Sequence, residues 1–175
     1  MHKLLYKLII LACVFLSSLS KADSDNMFEK KLIHLCPEIK GQLLDGATPL
    51  QGVTLERGVA YGELLLDSTV TDDEGYFFFA ASEYESRKPV NPLTETRVVR
   101  YLSASLNDQI IKIFYSPIST TSPIEKVTHS FSNLVCDVNA PLKTFNVKHG
   151  ENNSITQELY TICDLELLEF IRKAR

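Results

Sequence analysis

From Ile33 onward, apolar and polar positions alternate with a period of two along most of the chain, the pattern of half-buried strands. Ile39, Gly41 and Leu43 alternate with Lys40 and Gln42, and Asp45-Gly46 and Pro49 then punctuate the run. Val53 and Leu55 alternate with Thr54 and Glu56, giving a second strand. Gly58 and Gly62 bracket what reads as a flexible or bulged link, and Leu64 to Thr71 reads as a third strand. Asp72-Asp73-Glu74-Gly75 predicts a tight turn. Tyr76 to Phe79 follows, apolar on both faces, which predicts a central strand. Ser82 to Pro92 reads as a polar loop. Val98, Arg100, Leu102, Ala104 and Leu106 then share one face, and Asn107-Asp108 joins this run to Gln109–Tyr115 as a hairpin. Ser116 to Pro123 is a second loop, Phe131–Val138 a strand and Thr144–Lys148 a short one. His149 to Ser154 is a turn. Ser154 and Gln157 have the spacing of a helix capping box, yet Leu159, Thr161, Cys163 and Leu165 keep strand alternation. The reading adopted is a strand to about Leu165 and a short helical tail from Glu166. About eight short strands separated by turns predict an all-β sandwich.

The first residues follow a different pattern. Met1 to Lys7 carries His2, Lys3 and Lys7 and no acid, Leu8 to Leu16 is apolar throughout, and small residues lead to Ser20-Lys21-Ala22. These are the parts of a secretory signal peptide, and the apolar run is too short for a membrane span. Cleavage is placed between Ala22 and Asp23, with the bond after Ser20 as second choice. Ile10-Leu11-Ala12-Cys13 resembles a lipobox, but the apolar run continues past Cys13. The expected organisation is a signal peptide over 1–22, an N-terminal arm over 23–32 and a single domain over 33–175, exported to the periplasm or secreted.

Export changes the charge and the cysteine count. All 22 acids lie beyond the cut, whereas three of the 18 basic residues (Lys3, Lys7 and Lys21) are lost, so the mature net charge is −7. That argues against nucleic acid and anionic lipid as partners and is compatible with a protein partner. Cys36, Cys136 and Cys163 remain, enough for one bridge and one odd thiol in an oxidising compartment. Three pairings are possible. Cys136–Cys163 is favoured because Val135-Cys136-Asp137-Val138 and Ile162-Cys163-Asp164-Leu165 are similar strand contexts. Cys36–Cys136 is the rival. The odd cysteine reads as a buried thiol.

One segment carries a more specific pattern. Ile39-x-Gly41-x-Leu43-x-Asp45-Gly46-x-x-Pro49-Leu50-x-Gly52-Val53-x-Leu55 is followed by Thr71-Asp72-x-x-Gly75-Tyr76-Phe77. This resembles the carboxypeptidase regulatory-like domains. The resemblance implies a transthyretin-like (prealbumin-like) Greek-key β-sandwich of about seven or eight strands. Cys36-Pro37 and Glu56-Arg57 also resemble small exported bacterial proteins of unknown function that carry such a domain alone. Transthyretin-like hydrolases of 5-hydroxyisourate end in Tyr-Arg-Gly-Ser. This chain ends Ile171-Arg172-Lys173-Ala174-Arg175, so that signature is absent.

No nucleophile elbow, zinc helix or phosphate-cradling glycine loop is present. His34, His129 and His149 are not at metal-ligand spacing, and Asp72, Asp73 and Glu74 read as a solvated turn rather than a calcium loop. Lys40 reads as an exposed strand lysine. Tyr61, Tyr76, Tyr101 and Tyr115 read as packing residues. Asn152-x-Ser154 fits a glycosylation acceptor, relevant only in a eukaryotic secretory pathway. No cofactor, metal or catalytic residue is assigned. The leading expectation is a non-catalytic binding or assembly module with a protein partner. Behind it stand an immunity-type inhibitor of a periplasm-acting toxin and a hydrolase assembled from His129, His149 and Asp137.

Overall fold

A computed structural model describes residues 31–86 and 97–173. The expected signal peptide, its Ala22–Asp23 cleavage point and Cys13 lie outside the described residues. The chain divides into two compact units, and all described residues but Lys31 and Ser86 belong to the larger, Leu32–Glu85 with Asn91–Arg175.

The largest sheet has seven strands, every neighbouring pair antiparallel. Its middle is built by β4 (Thr54–Tyr61), β8 (Val99–Leu106) and β9 (Gln109–Ser116), with β5 (Glu63–Val70) outside β4. Beyond β9 come β12 (Ile155–Thr161), β11 (Lys143–His149) and, at the far edge, β14 (Glu169–Lys173). The β8–β9 hairpin turns at Asn107 and Asp108, whose φ angles of 51° and 60° are those of a two-residue turn with left-handed corners. A second sheet is organised around β2 (Ile39–Asp45). On one side β2 pairs with β6 (Tyr76–Phe79) and β3 (Thr48–Pro49), and on the other it runs parallel to β10 (Leu134–Asp137), which in turn pairs with β13 (Cys163–Asp164). β1 (Lys31–Cys36) and β7 (Ser82–Ser86) make a third, two-stranded sheet. Ile39, Leu43, Phe77 and Leu134 from the second sheet and Leu55, Leu102, Ile113 and Leu159 from the first belong to one buried cluster. The sheets therefore share a single core and the fold is mostly β, as the alternation predicts.

Several local expectations are corrected. Gly58 does not interrupt a strand: β4 runs through it to Tyr61, with Gly58 paired to Tyr101 and to Leu66. β6 is not central, since among the described residues it pairs with β2 alone. Phe77 and Phe79 are buried while Tyr76 and Phe78 are exposed, and Lys40 lies 5.5 Å over the Phe78 ring. The expected strand over Phe131–Val138 is present but shorter, as β10 over Leu134–Asp137, and Phe131 instead ends a helix, α1 (Glu125–Phe131). Val127 and Phe131 stand four residues apart on the buried face, and Phe131 packs 4.7 Å from Phe114, so helical spacing wins there. Lys31 and Leu32, read as the end of an arm, already belong to β1, and the loop expected from Ser82 begins as β7.

The expected helical tail is a strand. β14 completes the open side of β11, with Phe170 packed 5.7 Å from Phe145 and Glu169 3.2 Å from Lys148. The capping-box reading at Ser154 also loses, because Gln157 lies within β12. The continuous strand expected to Leu165 is instead two strands in two sheets. β12 ends at Thr161 and, after Ile162, the chain enters the second sheet as β13. Thr161 holds this corner: its hydroxyl donates to the Ile113 carbonyl at 2.9 Å and accepts the Cys163 amide at 3.0 Å. Cys136 and Cys163 face each other in register across β10 and β13 and are joined by a disulfide.

Two measurements follow. Replacing both bridge cysteines by alanine is expected to lower the urea-unfolding free energy by about 3.5 kcal/mol, the chain-entropy effect for a bridge spanning 27 residues. An unchanged midpoint would remove the bridge from the account of stability. Gly41 is packed so closely against β10 that an added Cβ would stand 2.8 Å from Leu134 Cβ and 2.9 Å from the Leu134 carbonyl oxygen. Gly41→Ala is expected to cost about 2 kcal/mol or more by the same measurement, since strand backbone cannot yield as a side-chain tip can.

Candidate functional site

The inward positions of β4 and β8 each contain one arginine among apolar residues. Arg57 follows Val53 and Leu55, and Arg100 follows Val98 and precedes Leu102. Strand alternation therefore directs both inward, and both are buried, 4% and 7% exposed. Their surroundings differ. Arg57 stands directly opposite Asp67 on β5 and forms a two-pronged pair with it, Nε to Oδ1 at 2.9 Å and Nη2 to Oδ2 at 2.5 Å. Its Nη1 donates to the Ala80 carbonyl at 2.6 Å, and the guanidinium lies 5.0 Å over the Phe79 ring.

Arg100 has no carboxylate within ion-pairing distance among the described residues. Its Nε donates to the Leu35 carbonyl, Nη1 to Ile118 at 3.2 Å and Val98 at 3.5 Å, and Nη2 to Thr120 at 3.2 Å. Burial lowers its pKa from the ordinary guanidinium value. Cys36, at the end of β1, is 2% exposed and free of any disulfide. Burial pushes its thiol pKa up, opposed by the positive charges of Arg57 and Arg100 and by a hydrogen bond from Arg57. A thiol this buried, with its pKa raised above the ordinary value despite the two guanidinium groups, is poorly set up as a nucleophile.

Cys36 and Arg100 line a cavity of about 290 Å³ together with Ser116, directly opposite Arg100 across the β8–β9 pair. Ile118, Ile124 and Val127 supply apolar wall, and the half-exposed His34, Glu38 and Glu83 complete its polar rim. His34 pairs with Glu83 at 2.8 Å and Glu38 with Lys40 at 2.6 Å. Ser116 is 1% exposed, and its hydroxyl has no hydrogen-bond partner among the described residues. The volume is at the small end of the range of about 300–1,000 Å³ usual for ligand pockets.

Residues 39–141 match the domain of unknown function DUF6795. The chain belongs to this family. The DUF6795 segment contains Arg57, Arg100 and Ser116, whereas Cys36, Cys163 and the strands from β11 to β14 lie outside it. No curated protein and no solved structure matches the chain.

The residues weighed for a hydrolase are not drawn into one constellation. His129 is on α1. His149 is buried at the end of β11, with Nε2 2.7 Å from Gln157 Oε1, and Gln157 in turn holds Ser119. Asp137 accepts backbone N–H groups of Gly46 and Asn139, each at 3.0 Å. No group of three or more potential metal-ligating side chains occurs among the described residues. In the acidic turn, Asp72 accepts the Glu74 and Tyr76 amides through Oδ1, so its carboxylate shapes the turn. Lys40 is exposed and paired with Glu38. Tyr101 and Tyr115 stand directly opposite each other on β8 and β9, with Tyr160 next to Tyr115 on β12, whereas Tyr61 lies near Tyr84 and Tyr76 is on β6 of the second sheet, so the four named tyrosines do not form one face. Sequence reading passed over Arg100 and Ser116. The available signal was an arginine in the apolar register of a strand.

Asp137 yields a pH prediction. The Asn139 amide, first, and then the Gly46 amide hold its carboxyl below the ordinary value of 3.8. Its folded-state pKa is thus below the unfolded one, so its contribution is present above pH 3.8 and is lost as the pH falls through the folded value. Asp137→Asn is expected to flatten the fall of Tm across that acid range, and a profile parallel to the wild type would refute this.

Proposed function

We propose that this DUF6795 chain is an exported, non-catalytic binding module that takes a small ligand into the cavity between β1, β8, β9 and α1. The observation carrying this reading is the cavity itself: a largely apolar space with two buried polar groups, Arg100 and Ser116, incompletely partnered at its wall. A site whose wall holds a buried guanidinium, a buried hydroxyl and apolar side chains recognises; among the described residues it shows no hydrogen-bonded nucleophile–base pair of the kind that turnover by acyl transfer would require. Export is supported by the N-terminal pattern of charge, apolar run and small residues, and a disulfide is in keeping with an oxidising compartment. The finer reading of the fold, a transthyretin-like Greek-key sandwich, is supported by the turn residues of the resembling segment. Gly46, Gly52 and Gly75 take positive φ values of 61°, 72° and 77° at the corners where that pattern puts glycine.

The test is methyl NMR of the purified chain titrated with small amphiphiles of four to eight carbons. Ligand entry is expected to shift the methyl resonances of Ile118, Ile124 and Val127. Val127→Trp, which fills the space, is expected to abolish the shifts of the isoleucine methyls, with Ile118→Phe as a second filling variant. Isoleucine shifts that persist in both folded variants, or no shift in the wild type with any amphiphile, would overturn the reading.

A further inference from the structure

We infer that the ligand of this cavity is a small monoanion, an alkyl or similarly apolar carboxylate, whose head group sits between Arg100 and Ser116. The inference rests on the cavity being a ligand site and adds the chemistry of the ligand.

Arg100 and Ser116 are directly opposed in register on neighbouring antiparallel strands, so their side chains leave the same face of the sheet about 5 Å apart at Cβ. Both are more than nine-tenths buried and both line the cavity. Each has an unfilled hydrogen-bonding capacity. Four of the five guanidinium N–H groups meet carbonyl oxygens, which leaves one on Nη2. The Ser116 hydroxyl meets no acceptor among the described residues. Two donors on one wall match the two oxygens of a carboxylate.

Charge leads to the same ligand. Carbonyl dipoles orient a guanidinium but do not neutralise it, and an unpaired buried charge is costly. The fold supplies a carboxylate to its other buried arginine, through Asp67. It supplies none to Arg100 among the described residues, and the cavity is where an outside carboxylate would stand. A single negative charge is favoured over a doubly charged phosphate. Arg100 is the one lysine or arginine lining the space among the described residues, and Glu38 and Glu83 also line it, each engaged by its own base, Lys40 and His34. The apolar wall of Ile118, Ile124 and Val127 then selects a hydrocarbon body over a sugar or an amino acid.

Calorimetry with sodium butanoate, hexanoate and octanoate, against hexan-1-ol and hexylamine, tests this. The best carboxylate is expected to bind at least about tenfold more tightly than the alcohol. Ser116→Ala is expected to weaken carboxylate binding at least about tenfold and hexanol binding by less, since a hydrogen bond to a charged acceptor is stronger than one to a neutral hydroxyl. Arg100→Gln is expected to abolish the preference for the acid, and should that variant fail to fold, the Ser116→Ala result and the acid-to-alcohol ratio decide. Hexanol or hexylamine binding as tightly as hexanoate would overturn the carboxylate inference and leave the ligand cavity standing. Failure of all five probes to bind, with the isoleucine methyls unmoved, would overturn both, leaving Ser116 as a hydroxyl satisfied by water.

Discussion

The corner at Thr161, Ile162 and Cys163 is the constraint on which the rest of the fold depends. One run of chain belongs to the large sheet up to Thr161 and to the β2 sheet from Cys163. Two strands that share a covalent path cannot slide independently, so this corner sets the register of one sheet against the other. Thr161 does so with its hydroxyl, which anchors to β9 and accepts the first amide of the new strand. The disulfide to Cys136 then carries the constraint to β10, and through the parallel pairing to β2. Beyond that point the core packs between faces that are already aligned.

The two buried arginines show a different economy of charge. Both replace an apolar residue at an inward position, and each is desolvated by the same core. Arg57 is closed off by Asp67 from the adjacent strand and reads as a structural tie between β4, β5 and the end of β6. Arg100 ties the carbonyls of Leu35, Ile118 and Thr120 and so organises the segments that wall the cavity, while its charge remains without a counter-ion among the described residues. The same residue type in the same register thus does two jobs, and the neighbouring strand decides which.

Most of the strands were legible because alternation over seven or eight residues leaves one face apolar, as in β2, β4 and β8. The hairpin at Asn107-Asp108 was legible from its turn residues. Where the reading failed, tertiary partners outweighed local pattern. Val127 and Phe131 lie in a helix because Phe114 offers Phe131 a packing partner, and β14 is extended because β11 has an open edge. The four aromatics of β6 read as a doubly buried strand, but Lys40 covers Phe78 and leaves that face outside the core. The cavity was not legible at all, since it is assembled from β1, β8, β9, the loop after β9 and α1, which no spacing rule connects. A charged residue sitting in phase with Val98 and Leu102 was its single trace in the chain.

The parallel pairing of β2 with β10 also has a kinetic meaning. The strand that begins the β2 sheet finds one neighbour, β6, within forty residues, but Gly41 must wait for Leu134 to gain the other. About a hundred residues of chain separate the two strands on that side of the sheet, and pairings of such separation are slow to form. During that interval the inner faces of β2 and β6 lack part of their cover. The completion of the core is therefore slowed by topology rather than by any single weak contact.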